Sequence, residues 1–321
     1  MTTTPPPVAE ARGNARGEGP TWAPYAMLVL ATVFWAGNFV VARALRDVLP
    51  PVSLNVWRWL VALAILLPWA GPELLRHRAL VLRHAALVLA LGATGVAAFH
   101  TFVYLALAST TVTSAVLIAS TVPVVIPVLS WLLYRDRITR RQALGIALSF
   151  VGALTVVMRG DPGALASLRL DAGALWMVAA VPAWSLYTVL LKVVPKAFPP
   201  RTLLLSTTIA GLLLLLPLYA WRVAAGEVLP VRLDTAAAVL YVGAFASVLA
   251  FLFWNRGVAT IGPNRAGLFI HLMPLFGALL AFLFLSETLA PYHLVGAVLV
   301  VSGVMVARRS PTDVNARRAS A

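Results

Sequence analysis

Residues 34–45 read FWAGNFVVARAL, and residues 183–192 read AWSLYTVLLK. Each stretch is largely apolar, yet each carries a tryptophan followed three residues later by a side chain that can hydrogen-bond: Trp35 with Asn38, and Trp184 with Tyr187. Residues three apart share one face of a helix. The two stretches therefore predict equivalent helices, one in each half of the chain.

Composition places the chain in a membrane. Of its 321 residues 61% are hydrophobic and only 11% are charged, with a mean hydropathy of +0.90, whereas soluble domains carry about 25% charged residues. The net charge of +14 fits basic residues gathered at helix ends, and no basic face interleaved with aromatic residues indicates nucleic-acid binding. The absence of cysteine excludes disulfides, thiolate metal sites and a cysteine nucleophile.

Ten apolar runs have the length of a membrane crossing, for which about 20 residues span about 30 Å of hydrocarbon. The run from His84 to Tyr134 is too long for one crossing, and ALASTTVTSA inside it predicts a turn between two spans. The ten predicted spans are residues 24–45, 51–70, 84–107, 111–134, 141–158, 172–193, 201–221, 235–256, 264–286 and 292–307.

The distribution of basic residues orients these spans. Ten crossings put both termini on one side, and that side collects eighteen Lys and Arg residues against six on the other, with Arg58 inside a span. The positive-inside rule therefore predicts cytoplasmic termini in a plasma membrane, the bacterial inner membrane. Residues 1–22, which are polar and rich in Pro and Gly, are predicted to form a disordered cytoplasmic tail. Residues 309–321 are predicted to form a basic cytoplasmic tail.

The two halves of the chain align with each other. A shift of 149 residues pairs Trp35 with Trp184 and Arg43 with Lys192, and a shift of 151 pairs Pro123 with Pro274 and Asp136 with Glu287. Such residues are rare in apolar runs, so the matches predict two repeats, 24–159 and 171–308. Each repeat holds five spans, and because five is odd the second repeat enters the membrane inverted. Inverted repeats are typical of secondary transporters, which bind substrate near the midplane.

The paired tryptophans predict the substrate cavity. Trp35 lies about 11 residues into its span, about 16 Å by helical rise, and Trp184 lies about 12 residues into its own, so both are deeper than the interfacial aromatic belts. With Asn38 and Tyr187 on the same helical faces, they are predicted to form walls of one central cavity. The alternative is that these side chains only pack and hydrogen-bond between helices.

The chain also resembles a known family. WAGNFVVARAL resembles the first-helix signature of EamA-type proteins in the drug/metabolite transporter superfamily, and FWNRGVATIGPNRAGLFIHLMPLFGALLAFLFLSETLAPYHLVGAVLVVSGV resembles their C-terminal helices. The resemblance implies ten helices, two inverted repeats and export or exchange of small metabolites such as amino acids. It also places Tyr104, Trp254 and Asn255 at the cavity. The chain departs from the family at Asp136, within YRDR, where Gly-Glu is usual. Substrate identity does not follow from membership.

Charges inside the membrane narrow the substrate class. All eleven carboxylates fall in the tail, in loops or at span ends, whereas a proton-coupled exporter of cations is expected to keep a buried carboxylate. We therefore expect a neutral, zwitterionic or anionic substrate. Arg58 lies about 10 Å into the second span. It either snorkels outward, bonds another helix, or holds a carboxylate or phosphate in the cavity.

Two histidines and two prolines complete the candidate set. His100 and His271 stand apart from other ligand-type residues, so we expect no metal site. Each histidine either carries a coupling proton or only hydrogen-bonds in packing, and both are included among the cavity residues. Pro123 and Pro274 are predicted to break the fourth and ninth helices at matched positions.

The sequence as a whole predicts a secondary transporter of a small polar metabolite. No Gly-rich loop ending in Gly-Lys-Ser/Thr is present, so we expect no ATP-driven step, and no catalytic cluster or cofactor is expected. An integral-membrane enzyme acting on lipid, or a sensor that does not transport, is the alternative. The expected partners are the small-molecule substrate and the lipid bilayer, without nucleic acid, and a homodimer is left open.

Overall fold

The structure is a computed structural model that describes residues 22–45, 48–110, 112–165, 171–285 and 288–308. The tail predicted for residues 309–321 lies outside these residues, as does all but the last residue of the tail predicted for 1–22. Glu287 and the side chain of Arg43 lie outside the description as well.

Within the described residues the chain is helical and contains no β-strand, and nine helices are long and apolar enough to cross a membrane. In chain order these first to ninth spans are Ala23–Ala42, Pro51–Arg76, Ala85–Ser109, Ser114–Tyr134, Arg140–Val157, Ala172–Val193, Pro200–Ala224, Leu233–Ile261 and Pro263–Phe284. A shorter apolar helix, Pro291–Arg308, follows and is called the C-terminal helix. The protein is therefore an all-helical, multi-pass membrane protein.

Helix boundaries follow the predicted spans, with two informative points. The turn predicted in ALASTTVTSA is confirmed, because the third span ends at Ser109 and Thr110 has extended backbone angles. The second helix continues to Arg76, six residues past the predicted end at residue 70, and it passes through Pro68 and Pro72. Membrane helices tolerate proline because neighbouring groups satisfy the freed carbonyls, so proline is a weak stop signal here.

The third and eighth spans each contain a wider, π-helical stretch, at Gly92–Ala98 and Val242–Leu249. Both stretches begin at or beside a glycine that touches another helix. A Cβ on Gly92 would lie 2.8 Å from the backbone nitrogen of Gly211, and a Cβ on Gly243 would lie 3.0 Å from the carbonyl oxygen of Arg58. The third span thus packs against the seventh, and the eighth packs against the second.

Small residues also bring the fifth span and the C-terminal helix together. A Cβ on Gly145 would lie 2.5 Å from the carbonyl oxygen of Gly303, and one on Gly152 would lie 2.8 Å from that of Gly296. Small residues permit such backbone contact in membranes. The backbones of the fifth span and the C-terminal helix therefore lie in direct contact.

The second and seventh spans form a pair, and at each end of this pair a carboxylate hydrogen-bonds across to the other helix. At one end Glu73, near the end of the second helix, accepts from Thr202 Oγ1 at 3.0 Å. At the other end Glu227 accepts from Ser53 Oγ at 2.8 Å and from Arg222 Nε at 2.7 Å. Each carboxylate thus lies at the N-terminal turn of the opposite helix, where negative charge is favourable. The two helices therefore run antiparallel.

Candidate functional site

A void lies between the first, third, fourth, sixth and ninth spans. Its volume is about 30 Å³, which is room for about two water molecules. Four of the predicted cavity residues line it: Trp35, Asn38, His100 and Trp184. Most of the remaining lining is apolar, as with Phe99 and Met177.

Packed aromatic rings form one side of this void. Trp35 and Trp184 line it and meet edge to face with ring centroids 4.9 Å apart. Trp254 lies behind them, 5.2 Å from the first ring and 5.6 Å from the second. The Trp35 indole N–H donates to the carbonyl oxygen of Ala246 at 3.0 Å. That indole therefore lines the void and also packs, so the two readings of Trp35 do not exclude each other.

Arg58 lies behind the wall of the void and is completely buried. Its Nε donates to Ser247 Oγ at 2.8 Å, its Nη1 donates to the Tyr104 hydroxyl at 2.8 Å, and its Nη2 donates to the carbonyl oxygen of Ala246 at 3.2 Å. Snorkelling is thus ruled out, and the guanidinium bonds other helices. None of these three partners carries a negative charge, and within the described part of the chain no Asp or Glu pairs with Arg58.

Each half of the chain contains one buried tyrosine–asparagine hydrogen bond. The Tyr104 hydroxyl donates to Asn38 Oδ1 at 2.9 Å, and the Tyr187 hydroxyl donates to Asn255 Oδ1 at 2.7 Å. Asn38 and Tyr187 are partners at the shift of 149, while Tyr104 and Asn255 are partners at 151. The same bond therefore joins the first to the third span and the sixth to the eighth, with the two residue types exchanged.

The hydrogen bonds fix the orientation of the Asn38 amide. Because Tyr104 accepts from Arg58, its own proton goes to Asn38 Oδ1, which leaves the Nδ2 group of Asn38 as a donor.

The position of a hydrogen on the His100 ring follows from its hydrogen bond in the same way. Its Nδ1 lies 3.3 Å from the carbonyl oxygen of Gly95, and since a carbonyl only accepts, Nδ1 carries the hydrogen. When the ring is neutral, its Nε2 is then an acceptor. The indole N–H of Trp184 has no hydrogen-bond partner among the described residues and remains a further donor.

The other predicted cavity residues do not line this void. Arg58, Tyr104, Tyr187, Trp254 and Asn255 lie in the layer behind it.

His271 lies in a separate polar contact that ties together the ninth, fifth and fourth spans. Its Nδ1 is 2.7 Å from Ser149 Oγ, and its Nε2 is 3.0 Å from the carbonyl oxygen of Ser120. Among the residues that the structure describes, no cluster of three His, Asp or Glu side chains is able to hold a metal ion.

Pro123 and Pro274, which were predicted to break their helices, each lie at the second position of a helix. Pro123 is the second residue of helix Val122–Tyr134, which follows an interruption at residues 120–121. Pro274 is the second residue of helix Met273–Leu285, which follows a tighter 3-10 turn at Leu268–Leu272.

The sequence reading missed the carbonyl oxygens of Gly95 and Ala246. Both lie in the π-helical stretches and are 151 residues apart; the first serves His100, and the second serves Trp35 and Arg58. A π-helical turn leaves carbonyls free for side chains, and such turns are frequent at functional sites. The feature of the sequence that could have indicated these two carbonyls is the match of Gly92 with Gly243 at the shift of 151.

Comparison with known proteins adds the family. The model of the EamA-like transporter family matches the chain twice, at residues 22–158 and 171–309. An uncharacterized transporter, YyaM, of Bacillus subtilis is 25% identical over 88% of this chain and 92% of its own length. A probable terminal-alkyne amino-acid exporter of Streptantibioticus cattleyicolor is 27% identical over 88% and 92%. One crystal structure aligns with a TM-score of 0.69 at 20% identity, over 89% of this chain and 96% of that one, which supports the fold alone.

Proposed function

Because the chain belongs to the EamA-like transporter family, we propose that it is a secondary transporter of a small polar metabolite, an amino acid or a related zwitterion or anion. It works by export or exchange in the bacterial inner membrane and is not an enzyme. The curated relatives are named as transporters, and one of them as a probable amino-acid exporter.

The proposal includes ten crossings, with the C-terminal helix as the tenth, in two inverted repeats at 24–159 and 171–308 with cytoplasmic termini. Three structural equivalences support it: the π-helical stretches of the third and eighth spans, the exchanged tyrosine–asparagine bonds, and the carboxylates at both ends of the second and seventh spans. The first two relate residues that correspond at the shifts of 149 and 151, and in the third the two residues that donate to the carboxylates, Ser53 and Thr202, correspond at the shift of 149.

One observation carries the transport mechanism, namely that Trp35 and Trp184 border the same void. They come from equivalent positions in the two halves, so the void lies where the halves meet. Rocking of one half against the other exposes such a site to one side of the membrane at a time. A void enclosed by both halves is what alternating access requires.

Purified protein reconstituted in liposomes tests this function. A thermal-shift screen of amino acids, nucleosides, organic anions and organic cations identifies ligands, because ligand binding raises the melting temperature in proportion to the logarithm of its excess over Kd. Liposomes preloaded with an unlabelled hit are then expected to accumulate the labelled form against its gradient, while protein-free or unloaded liposomes do not. Absence of counterflow for every class that stabilises the protein would contradict the proposal.

A further inference from the structure

A short helix joins the second span to the third. The second helix ends at Arg76, a separate helix runs over Arg78–Arg83, and the third span begins at Ala85. At His77 and His84, which lie between these helices, ψ is 15° and 27°, whereas a helix has ψ of about −42°, so the chain bends at both. We call Arg78–Arg83 the connecting helix. Its 6 residues rise only about 9 Å, which is too short to recross a membrane, so the connecting helix lies at a membrane surface.

The connecting helix has one face packed on the protein and one face exposed. Leu80 and Val81 pack against the hydrophobic core. Arg78 and Leu82, which are four residues apart and share one side of the helix, are exposed. Leu82 is 73% exposed, and Leu75, two turns earlier, is 69% exposed. Arginine beside exposed leucine is the pattern of a helix that lies in the membrane interface, with leucine toward the acyl chains and arginine among the headgroups.

Three exposed arginines at this bend lack a carboxylate partner. Arg76, Arg78 and Arg83 form no ion pair with any Asp or Glu that the structure describes. Glu73, the nearest carboxylate in sequence, pairs instead with Arg201 at 3.4 Å. We call residues 75–83, with their three arginines and two exposed leucines, the basic bend. Its positive charges are not neutralised within the described protein.

The loop between the seventh and eighth spans, the counterpart in the second half, is built differently. Its Arg222 pairs with Glu227 at 2.7 Å, and its Arg232 pairs with Asp234 at 2.9 Å. Both arginines of this loop therefore have a carboxylate partner within the loop itself.

The repeat shows which residue the basic bend lacks. At the shift of 149, Arg83 corresponds to Arg232, and Ala85 corresponds to Asp234. An alanine thus stands where the other loop has the carboxylate that pairs with its arginine. A partner for Arg83 has to come from outside the bend.

We infer that the basic bend is a binding surface for anionic phospholipid, in which the three arginines contact phosphate headgroups and Leu75 and Leu82 insert among the acyl chains. The inference goes beyond transport and uses only the proposed orientation, which puts the bend at the cytoplasmic leaflet, where anionic lipids attract basic segments. Each basic residue near such a surface strengthens binding about fivefold. Three arginines are therefore expected to favour an anionic over a zwitterionic lipid about 100-fold.

Lipid titration of the purified full-length protein in a neutral detergent tests this surface. Thermal melting is measured against the concentration of dioleoyl phosphatidylglycerol, dioleoyl phosphatidylcholine or glycerol 3-phosphate, because a bound ligand raises the melting temperature. We expect phosphatidylglycerol to act at about 100-fold lower concentration than phosphatidylcholine, and this advantage to shrink at high ionic strength, which screens exposed charges. Glycerol 3-phosphate is expected to have no effect, because it has no acyl chains to cover the leucines.

Removing the charges locates the lipid. One variant combines Arg76→Gln, Arg78→Gln and Arg83→Gln, and is expected to fold because these side chains are exposed and form no ion pair with the described residues. In this variant phosphatidylglycerol is expected to act no better than phosphatidylcholine.

A control variant removes the same charge from the same side of the membrane. It combines Arg137→Gln, Arg140→Gln and Arg141→Gln, which are exposed and flank or follow the loop after the fourth span. Residues 135–139 of that loop form no helix, so no interfacial helix presents leucines there. This variant is expected to keep most of the advantage of phosphatidylglycerol.

A further variant supplies the missing carboxylate. Ala85 is exposed, and Ala85→Asp places an acid two residues after Arg83, as Asp234 follows Arg232. We expect the affinity for phosphatidylglycerol to fall about fivefold or more while that for phosphatidylcholine is unchanged. Ala85→Asn has the same shape without the charge and is expected to behave as the wild type.

The outcomes that overturn the inference are distinct. If the variant of the bend keeps the advantage of phosphatidylglycerol, or if the control variant loses it equally, the bend is not the binding surface. If glycerol 3-phosphate stabilises as well as the lipid, the arginines bind a soluble anion instead. If the bend variant changes the size of the protein in gel filtration and not its lipid preference, the surface joins two copies of the chain. None of these measurements involves transport, so counterflow tests the proposed function separately.

Discussion

Trp35 and Trp184 occupy equivalent positions in the two halves of the chain and touch each other, edge to face, with ring planes at 87°. In the proposed pair of inverted repeats, residues related by the internal two-fold axis meet only near that axis, so this contact is expected to lie at the boundary between the halves. An aromatic pair of this kind contributes about 1 kcal/mol beyond burial. An interaction of this size can break in each cycle of the proposed alternating-access mechanism.

The role of Trp35 is tested by removing its ring. Trp35→Ala takes away one wall of the void together with packing in the aromatic cluster, so we expect counterflow to fall to background and stability to fall by about 3 kcal/mol or more. Trp221, which is 63% exposed, provides the control, since Trp221→Ala is expected to keep counterflow. Trp35→Phe keeps most of the packing. Wild-type transport by Trp35→Ala would assign this residue to packing alone.

Arg58→Lys keeps the positive charge but loses the planar fork that reaches three acceptors on other helices. We expect the affinity for a carboxylate substrate to fall about tenfold and the melting temperature to drop. Arg201→Lys is the matched control, because Arg201 is 43% exposed and contacts Glu73 at 3.4 Å. Competition binding and thermal melting on both variants measure the difference. Equal behaviour of the two variants would show that the geometry of Arg58 does not matter.

The two tyrosines are expected to differ although they make the same bond. Tyr104→Phe leaves both Arg58 Nη1 and Asn38 Oδ1 without their partner, which is expected to cost about 1–3 kcal/mol or more because one group is charged. Tyr187→Phe leaves only Asn255 Oδ1 unpaired and is expected to cost less. Denaturation of the two variants in the same detergent gives the comparison. A larger loss of stability for Tyr187→Phe than for Tyr104→Phe would contradict the expectation that leaving Arg58 Nη1 unpaired adds to the cost.

Glycine packing is tested by adding one methyl group. A Cβ on Gly145 would lie 2.5 Å from the carbonyl oxygen of Gly303 and 2.7 Å from the Cβ of Ala307, so Gly145→Ala forces the helices apart and is expected to destabilise by more than about 1 kcal/mol. Gly277 has open space around its Cβ position. Gly277→Ala is therefore expected to be neutral or to stabilise by up to about 1 kcal/mol, the difference in helix propensity. Thermal melting of the two variants measures the expected loss of stability for Gly145→Ala and the unchanged or raised stability for Gly277→Ala.

An ion pair at one end of the protein has a defined pH dependence. The Lys192 ammonium, and then the Ser130 hydroxyl, hold the pKa of the Asp136 carboxyl below its usual value. Because the pKa is lowered in the folded protein, the pair contributes stability above about pH 4 and loses it as the pH falls through the lowered value.

Both side chains of this pair are about one-third exposed, at 30% for Asp136 and 39% for Lys192, so the expected contribution is below about 1 kcal/mol. Asp136→Asn is expected to lower the melting temperature slightly at pH 7 and to match the wild type near pH 3. An equal deficit at both pH values would mean that the pair does not titrate as described.

Membrane spans were readable from the sequence because hydropathy is a local property. The second span shows the limit, since its end was predicted at residue 70, whereas the helix passes through Pro72 and continues to Arg76, because membrane helices tolerate proline where neighbouring groups satisfy the freed carbonyls. The depth of Trp35 and Arg58 along their helices also followed from residue counting. The match of rare residues at shifts of 149 and 151 anticipated which positions in the two halves correspond.

Only the tertiary structure decided which of these side chains lines the void. Arg58 and Trp35 share the carbonyl oxygen of Ala246, which is 211 positions away from the tryptophan, and this contact places the arginine behind the wall. The structure likewise turned the amide of Asn38 by pairing it with Tyr104 and separated His271 from the void. Residue spacing gives height along a helix, whereas the direction in which a side chain faces and the partner it meets depend on helices distant in sequence.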